Sequence, residues 1–344
     1  MRRNIAGLLV LCLLLPLLAL SESGSWGQIS GDLSRTENWE RIVNNSSFCM
    51  GEAVPWVEDE SVTVLPYGTY PSLDGSTVCV PLAMELARQH LFMQEEDLNG
   101  FVSFSTTPYA YERLIYGQPN PMSTVLSQNA VMDPEHPIDL ILVTEPSDEE
   151  LRMAAEEGCS LRYVPFCYDA FVFVNNKNNP VTGLTTKQIR SIYIGQTLDW
   201  GDVGGVLGST ILAYQRPENS GSQTLMENRV MAGLRPVAAR ENFISEGMGD
   251  LVEQVGNYTN SVQALGYTFL YYVTKLYPSD SIRVLAVDGV EPTEENLRSG
   301  KYPYTVSYWA VYREGDVNTE RFVDWLVSEE GQRCVRQAGY IPIM

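Results

Sequence analysis

From residue 62 to the carboxyl terminus, short β-branched or aromatic runs alternate with stretches whose apolar residues recur at helical spacing, the pattern of a wound α/β fold. Residues 81–91, 110–116, 185–194, 222–232, 319–327 and 330–338 carry the helical period. Residues 101–105, 140–143, 211–214, 282–287 and 304–312 read as strands. Ser147 is predicted to cap a helix that runs through Glu157, with Asp148 and Glu149 in the first turn, where the macrodipole favours acids, and Gly158 at its end. Two aromatic runs, 163–175 and 266–272, stand out as long strands, the first too long for an ordinary one. They are predicted to be crossings between two lobes. The first lobe is then 62–167 plus 281–344, the second is 168–280, and a ligand cleft lies between them across a hinge.

The first 21 residues differ from everything after them. Arg2 and Arg3 precede an apolar run from Ile5 to Leu20, with small residues at Ala19 and Ser21, which is the layout of a secretory signal. The run is shorter than the ~20 residues of a bilayer span and is interrupted by Pro16, so cleavage near Ser21 is expected, with an uncleaved membrane anchor as the alternative. Leu11 stands where a lipoprotein processing site needs a small residue, so no lipid is expected on Cys12. Residues 22–61, rich in Ser, Gly, Asn and acids, read as a flexible leader. The expected location is extracytoplasmic: secreted, at the cell surface or in a periplasm.

Charge narrows the partners. Lys and Arg number 23 against 43 Asp and Glu, a net charge of −20 that argues against nucleic acid as a ligand. The same charge repels small anions, so an anion site here must act through close, directed hydrogen bonds, well inside the ~8 to 10 Å screening length of physiological salt. Cys49, Cys79, Cys159, Cys167 and Cys334 lack the paired spacing of a zinc module, and most are expected to be small buried hydrophobes. His90 and His136 lie in no nucleophile or metal-binding motif and are both expected in solvent. The chain is therefore read as a binding protein and not an enzyme, without cofactor or metal.

Hydroxyl-bearing loops carry the candidate chemistry. In LDGSTVCVP, a glycine turn precedes Ser76 and Thr77 at a helix start, where unpaired backbone N–H groups and the macrodipole favour an anion. Ordinary helix capping is the bland alternative. In QRPENSGSQT, Arg216 offers a planar fork that matches two oxygens of an oxyanion, and Ser220, Gly221 and Ser222 open a helix whose glycine permits close backbone approach. FSTTP, with Thr106 and Thr107, and LVTEPS, with Thr144 and Glu145, are further clusters at strand-to-helix junctions, where wound folds bind ligands. Glu145 either accepts the proton of a protonated ligand, which would select monohydrogen phosphate over sulfate, or merely sits near the start of the Ser147 helix.

These blocks, together with DAFVFVNNKNNPVTGLTTKQIRSIYIGQTLDWGDVGG, ALGYTFLYY, AVDGVEPTEENLRSGKYP and DWLVSEEGQRCVRQAGYIPI, resemble the phosphate-binding substrate-binding proteins of bacterial ABC importers, which have the type II periplasmic-binding-protein fold. The resemblance runs from about Tyr70 to the end of the chain. It implies anion contacts at Ser76 and Thr77, at Thr106 or Thr107, at Thr144 with Glu145, and at Arg216, Ser220, Gly221 and Ser222. Glu145 stands where better-known members carry Asp, Ser222 where they carry Thr, and Asp74 is implied beside the pocket as a second candidate proton acceptor. The function implied is capture of phosphate or a similar small oxyanion by a monomer that delivers it to the membrane permease of an ABC importer. A surface or sensory module that signals to a membrane receptor is the alternative.

Overall fold

A strand apolar at every position needs cover on both faces, and Leu140–Val143, with all four residues buried, sets that requirement. The computed structural model describes residues 70–344 apart from 92, 94–97, 99–101, 121–135, 219, 239–243, 246–247 and 258–260. The expected signal, the leader and Cys49 lie outside them. The described strands are β1 (Leu73–Gly75), β2 (Leu140–Val143), β3 (Leu161–Asn176), β4 (Gly183–Leu184), β5 (Leu212–Ala213), β6 (Ala264–Phe269), β7 (Ile282–Val284), β8 (Ala286–Val287), β9 (Thr305–Arg313) and β10 (Ile341–Pro342). The helices used below are α1 (Val80–His90), α2 (Thr107–Tyr116), α3 (Asp148–Glu156), α4 (Thr186–Tyr193), α5 (Gly221–Leu225), α6 (Met248–Asn257), α7 (Glu294–Arg298), α8 (Val317–Leu326) and α9 (Glu329–Gln337).

The two faces of β2 are covered by different helices, because successive side chains point to opposite sides of a sheet. Leu140 and Leu142 belong to the large core with Leu82 and Leu86 of α1 and Phe322 and Leu326 of α8. Ile141 and Val143 belong to a smaller core with Ala110, Tyr111 and Leu114 of α2 and Ala154 of α3. Helix α3 begins as its sequence predicts: Glu150 N–H donates to Ser147 Oγ, and Ser147 N–H donates back to Glu150 Oε2, a capping box.

One mixed sheet runs in the order β1-β2-β9-β3-β6-β5, and β3 is its spine. Its 16 residues extend roughly 50 Å at ~3.3 Å per residue, far beyond a usual strand. The first part, Leu161 to Ala170, pairs with β9, and β10 adds to it at Cys167 and Tyr168. From Phe171 onward the partner changes to β6, and β7 joins at Val174 to Asn176. The fold is two-lobed α/β, and β3 crosses from one half-sheet to the other at Ala170 and Phe171.

The return path differs from the sequence expectation. Residues 282–287, expected in the first lobe, pair with the second: β7 with the end of β3, and β8 with β4. Strand β6 pairs along its length with the second part of β3, and the chain rejoins the first half-sheet at β9, where Thr305 faces Ala170. Backbone hydrogen-bonding partners decide this, and a run of apolar residues does not specify them. Residues 102–105 form no strand, and 222–232 begin as α5 but continue as a π-helix, Met226–Met231. His90, expected in solvent, is 1% exposed and packs edge-on against Trp325 at 4.3 Å, because it lies on the face of α1 that meets α8. His136 is exposed, beside Asp139. Cys79, Cys167 and Cys334 are buried free thiols, and Cys159 is half-buried.

Asp169 lies at the crossing itself, fully buried beside the partner switch. It accepts from Tyr308 Oη at 2.5 Å, Ala170 N–H at 2.7 Å and Tyr271 N–H at 3.2 Å. Burial still outweighs these three donors and pushes its carboxyl up to about 7. Tyr271, which follows β6, also stacks at 3.9 Å on Tyr340, which precedes β10, so residues beside both parts of β3 pack around this point.

Candidate functional site

Loops at the ends of β1, β2 and β5 converge with the start of α2 on one cavity of about 770 Å³. The first loop turns at Gly75, where a Cβ would lie 2.2 Å from Leu142 O, so only glycine lets β1 run this close to β2. Ser76 and Thr77 follow on the cavity wall, and Ser76 makes no side-chain cap. Asp74, fully buried, holds the neighbouring loop in place. Its Oδ1 accepts from Gly75 N–H and Ser105 N–H, both at 2.7 Å, and its Oδ2 from Ser105 Oγ at 2.6 Å and Arg113 Nη1 at 3.0 Å. These four donors tie Asp74 to Gly75, Ser105 and Arg113.

Thr106 has φ 81° and ψ 160°, a conformation uncommon for a residue with a Cβ. Its N–H donates to Gly75 O at 3.1 Å, which ties the second loop to the first. Strain of this kind persists where the surroundings over-determine it, and here Asp74 grips the preceding residue from two sides. Thr106 and Thr107 both line the cavity.

Across the cleft, Arg216 and the Ser220-Gly221-Ser222 turn supply the opposite wall. The Arg216 N–H donates to Tyr267 Oη at 2.9 Å, which fixes the loop on β6. Ser220 caps α5 by accepting from Gln223 N–H at 3.3 Å, so the ordinary capping role applies to it. Gly221 brings the two walls together: a Cβ there would lie 2.2 Å from Thr144 Oγ1 and 3.1 Å from Thr107 Oγ1. Thr144 Oγ1 and Ser222 Oγ are both buried without a hydrogen-bond partner in the protein. A buried unmet hydroxyl costs about 1–3 kcal/mol, so two beside the helix start mark a place built for a polar ligand.

Glu145 does not face that place. Its carboxylate is clasped by Arg229 of the π-helix, with Nη2 to Oε2 at 2.8 Å and Nε to Oε2 at 3.1 Å, an ion pair that spans the two lobes. Eight of the ten expected contact residues thus lie on the cavity wall, Thr144 touches it through Gly221, and Glu145 is diverted. Sequence reading missed Arg229, which belongs to no motif, and the wider rim of Tyr109, Tyr272, Tyr277 and Glu150. Glu150 is buried, and desolvation raises its carboxyl to about 7.

Residues 109–330 match the family model of the PBP superfamily domain. The chain belongs to the PBP superfamily. Within it, a phosphate-binding protein PstS of Bacillus subtilis is 27% identical over 171 residues, which is 49% of this chain and 53% of that protein. A PstS of Borreliella burgdorferi is 25% identical over 202 residues, 57% of this chain and 68% of that one. The chain therefore spans from about half to two thirds of these relatives' lengths. Among solved structures of this superfamily, a substrate-binding protein assigned to a phosphate ABC transporter of Clostridium perfringens, with bound phosphate, aligns with a TM-score of 0.58 at 26% identity. That alignment covers 80% of this chain and 99% of the other. The half-sheets joined through β3 are thus this PBP-superfamily member's version of a shared two-lobed fold.

Proposed function

We propose that this chain is an extracytoplasmic solute-binding protein that captures phosphate or a similar small oxyanion between its lobes and delivers it to the membrane permease of an ABC importer. One observation carries the reading: a guanidinium, a helix start and hydroxyls from four separate loops meet at one place, two of those hydroxyls buried without partners. Arg216 supplies the counter-charge, and Ser76, Thr77, Thr106, Thr107, Thr144, Ser220 and Ser222 with the Gly221 amide supply directed donors. These act at contact distance, where the −20 net charge of the chain is screened. The PstS relatives and the phosphate-bound Clostridium structure agree with this chemistry. Export rests on the 1–21 segment.

Calorimetric titration with phosphate tests the reading. Removing one partner of a buried charge pair costs about 2 to 5 kcal/mol, and ~1.4 kcal/mol is tenfold in affinity. Arg216→Ala is expected to weaken phosphate binding more than tenfold with an unchanged circular dichroism spectrum, and Arg216→Lys to recover part of the loss. Phosphate affinity equal to the parent's in Arg216→Ala would remove the cleft assignment.

A further inference from the structure

Thr106 breaks a local rule without any gain in packing. At φ 81° and ψ 160° it lies in a region populated almost only by glycine, and its side chain is β-branched. Ala232, which also has positive φ, sits at φ 48° and ψ 53°, in the left-handed basin that a Cβ tolerates better. Glycine would adopt the Thr106 conformation at no steric cost. The Thr106 side chain is exposed on the cavity wall, so core packing does not explain its presence. Departures of this kind from local preference gather at functional sites.

The groups that hold this conformation converge on one buried carboxylate. Asp74 takes Ser105, the residue before Thr106, by both its N–H and its Oγ, and Arg113 Nη1, from the last turn of α2 after Thr106, at 3.0 Å. Gly75 O accepts the Thr106 N–H at 3.1 Å, and Thr106 O accepts the Ala110 N–H at 2.9 Å. The chain is thus fixed on both sides of the strained residue. Neither Asp74 nor Arg113 lines the cavity. What they set in place is Thr106 itself and the buried Thr107, whose Oγ1 lies 3.1 Å from where a Gly221 Cβ would stand. We propose that the Asp74–Arg113 ion pair is the positioning device of the cleft: it holds Thr106 strained so that Thr106 presents its hydroxyl to the cavity and Thr107 stands against the Gly221 helix start. The fold is less stable for it. The proposal rests on the oxyanion reading above.

Two variants that lack the hydroxyl separate strain from chemistry. Thr106→Ala keeps the Cβ and Thr106→Gly removes it. Glycine within ordered structure ordinarily destabilises relative to alanine. Here the urea midpoint of ligand-free Thr106→Gly is expected above those of the parent and of Thr106→Ala, while both variants bind phosphate about tenfold more weakly or worse. Arg113→Lys keeps a cation beside Asp74, so no buried charge is left unpaired. Calorimetry should show it weakening phosphate binding about fivefold or more in the parent and less than about twofold in Thr106→Gly, because a glycine needs no holding. A merely structural Arg113 would cost the same in both backgrounds, and that result would overturn the positioning role. A Thr106→Gly protein less stable than Thr106→Ala would overturn the strain. A parent that binds no phosphate would sink the oxyanion reading and the positioning role with it, while the urea comparison, which needs no ligand, still decides the strain.

Discussion

The two walls of the cleft bring different chemistry to it. The first-lobe wall is a set of hydroxyls at Ser76, Thr77, Thr106 and Thr107, with the buried carboxylate of Asp74 holding the loop before Thr106. The second-lobe wall brings Arg216 and the helix start at Gly221. Hydroxyls alone cannot neutralise a dianion, and one guanidinium with a helix start leaves most of its oxygens in water. On the proposed function, an oxyanion is fully coordinated only by both walls at once. That requirement couples binding to closure, because a ligand shifts a conformational equilibrium only by its differential affinity for the two states.

The close approach at Gly221 is the strongest place to break this arrangement. Gly221→Ala would put a Cβ into Thr144 Oγ1, and overpacking of this kind costs about 1–3 kcal/mol, or roughly fivefold to 150-fold in affinity. Because the clash arises only where the lobes meet, thermal stability of the ligand-free protein should change little, while calorimetry should register the loss. Phosphate affinity equal to the parent's would mean that the walls do not meet this way when ligand is bound.

A smaller effect is expected from the ion pair that spans the lobes beside the site. Arg229 is 61% exposed, so its pairing with Glu145 is worth ~0–1 kcal/mol, at most about fivefold in affinity. Arg229→Gln and Glu145→Gln should each raise the phosphate off-rate by up to that factor, and the double variant should be no worse than either single one. Stopped-flow release would check it. A loss of more than tenfold in Glu145→Gln alone would return Glu145 to the ligand's contacts.

Least affected in affinity, and most in pH response, is the crossing between the walls. Burial lifts Asp169 from the ordinary value of 3.8 to about 7, so the folded state holds this proton more tightly than the unfolded chain does. The contribution is favourable below about pH 4 and is lost as pH rises from about 4 to about 7, with no further change above that. Glu150 shifts in the same direction and adds to the slope. Asp169→Asn should flatten the pH dependence of urea unfolding over this window and leave phosphate affinity at pH 7.5 within twofold. An identical slope in parent and variant would show that Asp169 does not titrate there.

Much of this molecule is determined locally and so is legible in its sequence. Leu140–Val143 forms its strand, Ser147 and Glu150 form their capping box, and the Ser220-Gly221-Ser222 turn opens a helix, because each depends on hydrogen bonds and periodicity within a few residues. The length of β3 likewise announces a crossing. Tertiary structure decided what no local pattern encodes. It set β7 and β8 beside β3 and β4 in the second lobe, and it turned His90 into the interface between α1 and α8. Most consequentially, it chose between two adjacent residues after β2. Thr144 meets Gly221, while Glu145 is drawn to Arg229, 84 positions further along the chain. Neighbouring side chains leave the backbone in different directions, and the charge that the opposite lobe presents at Arg229 takes Glu145 and leaves Thr144 against Gly221.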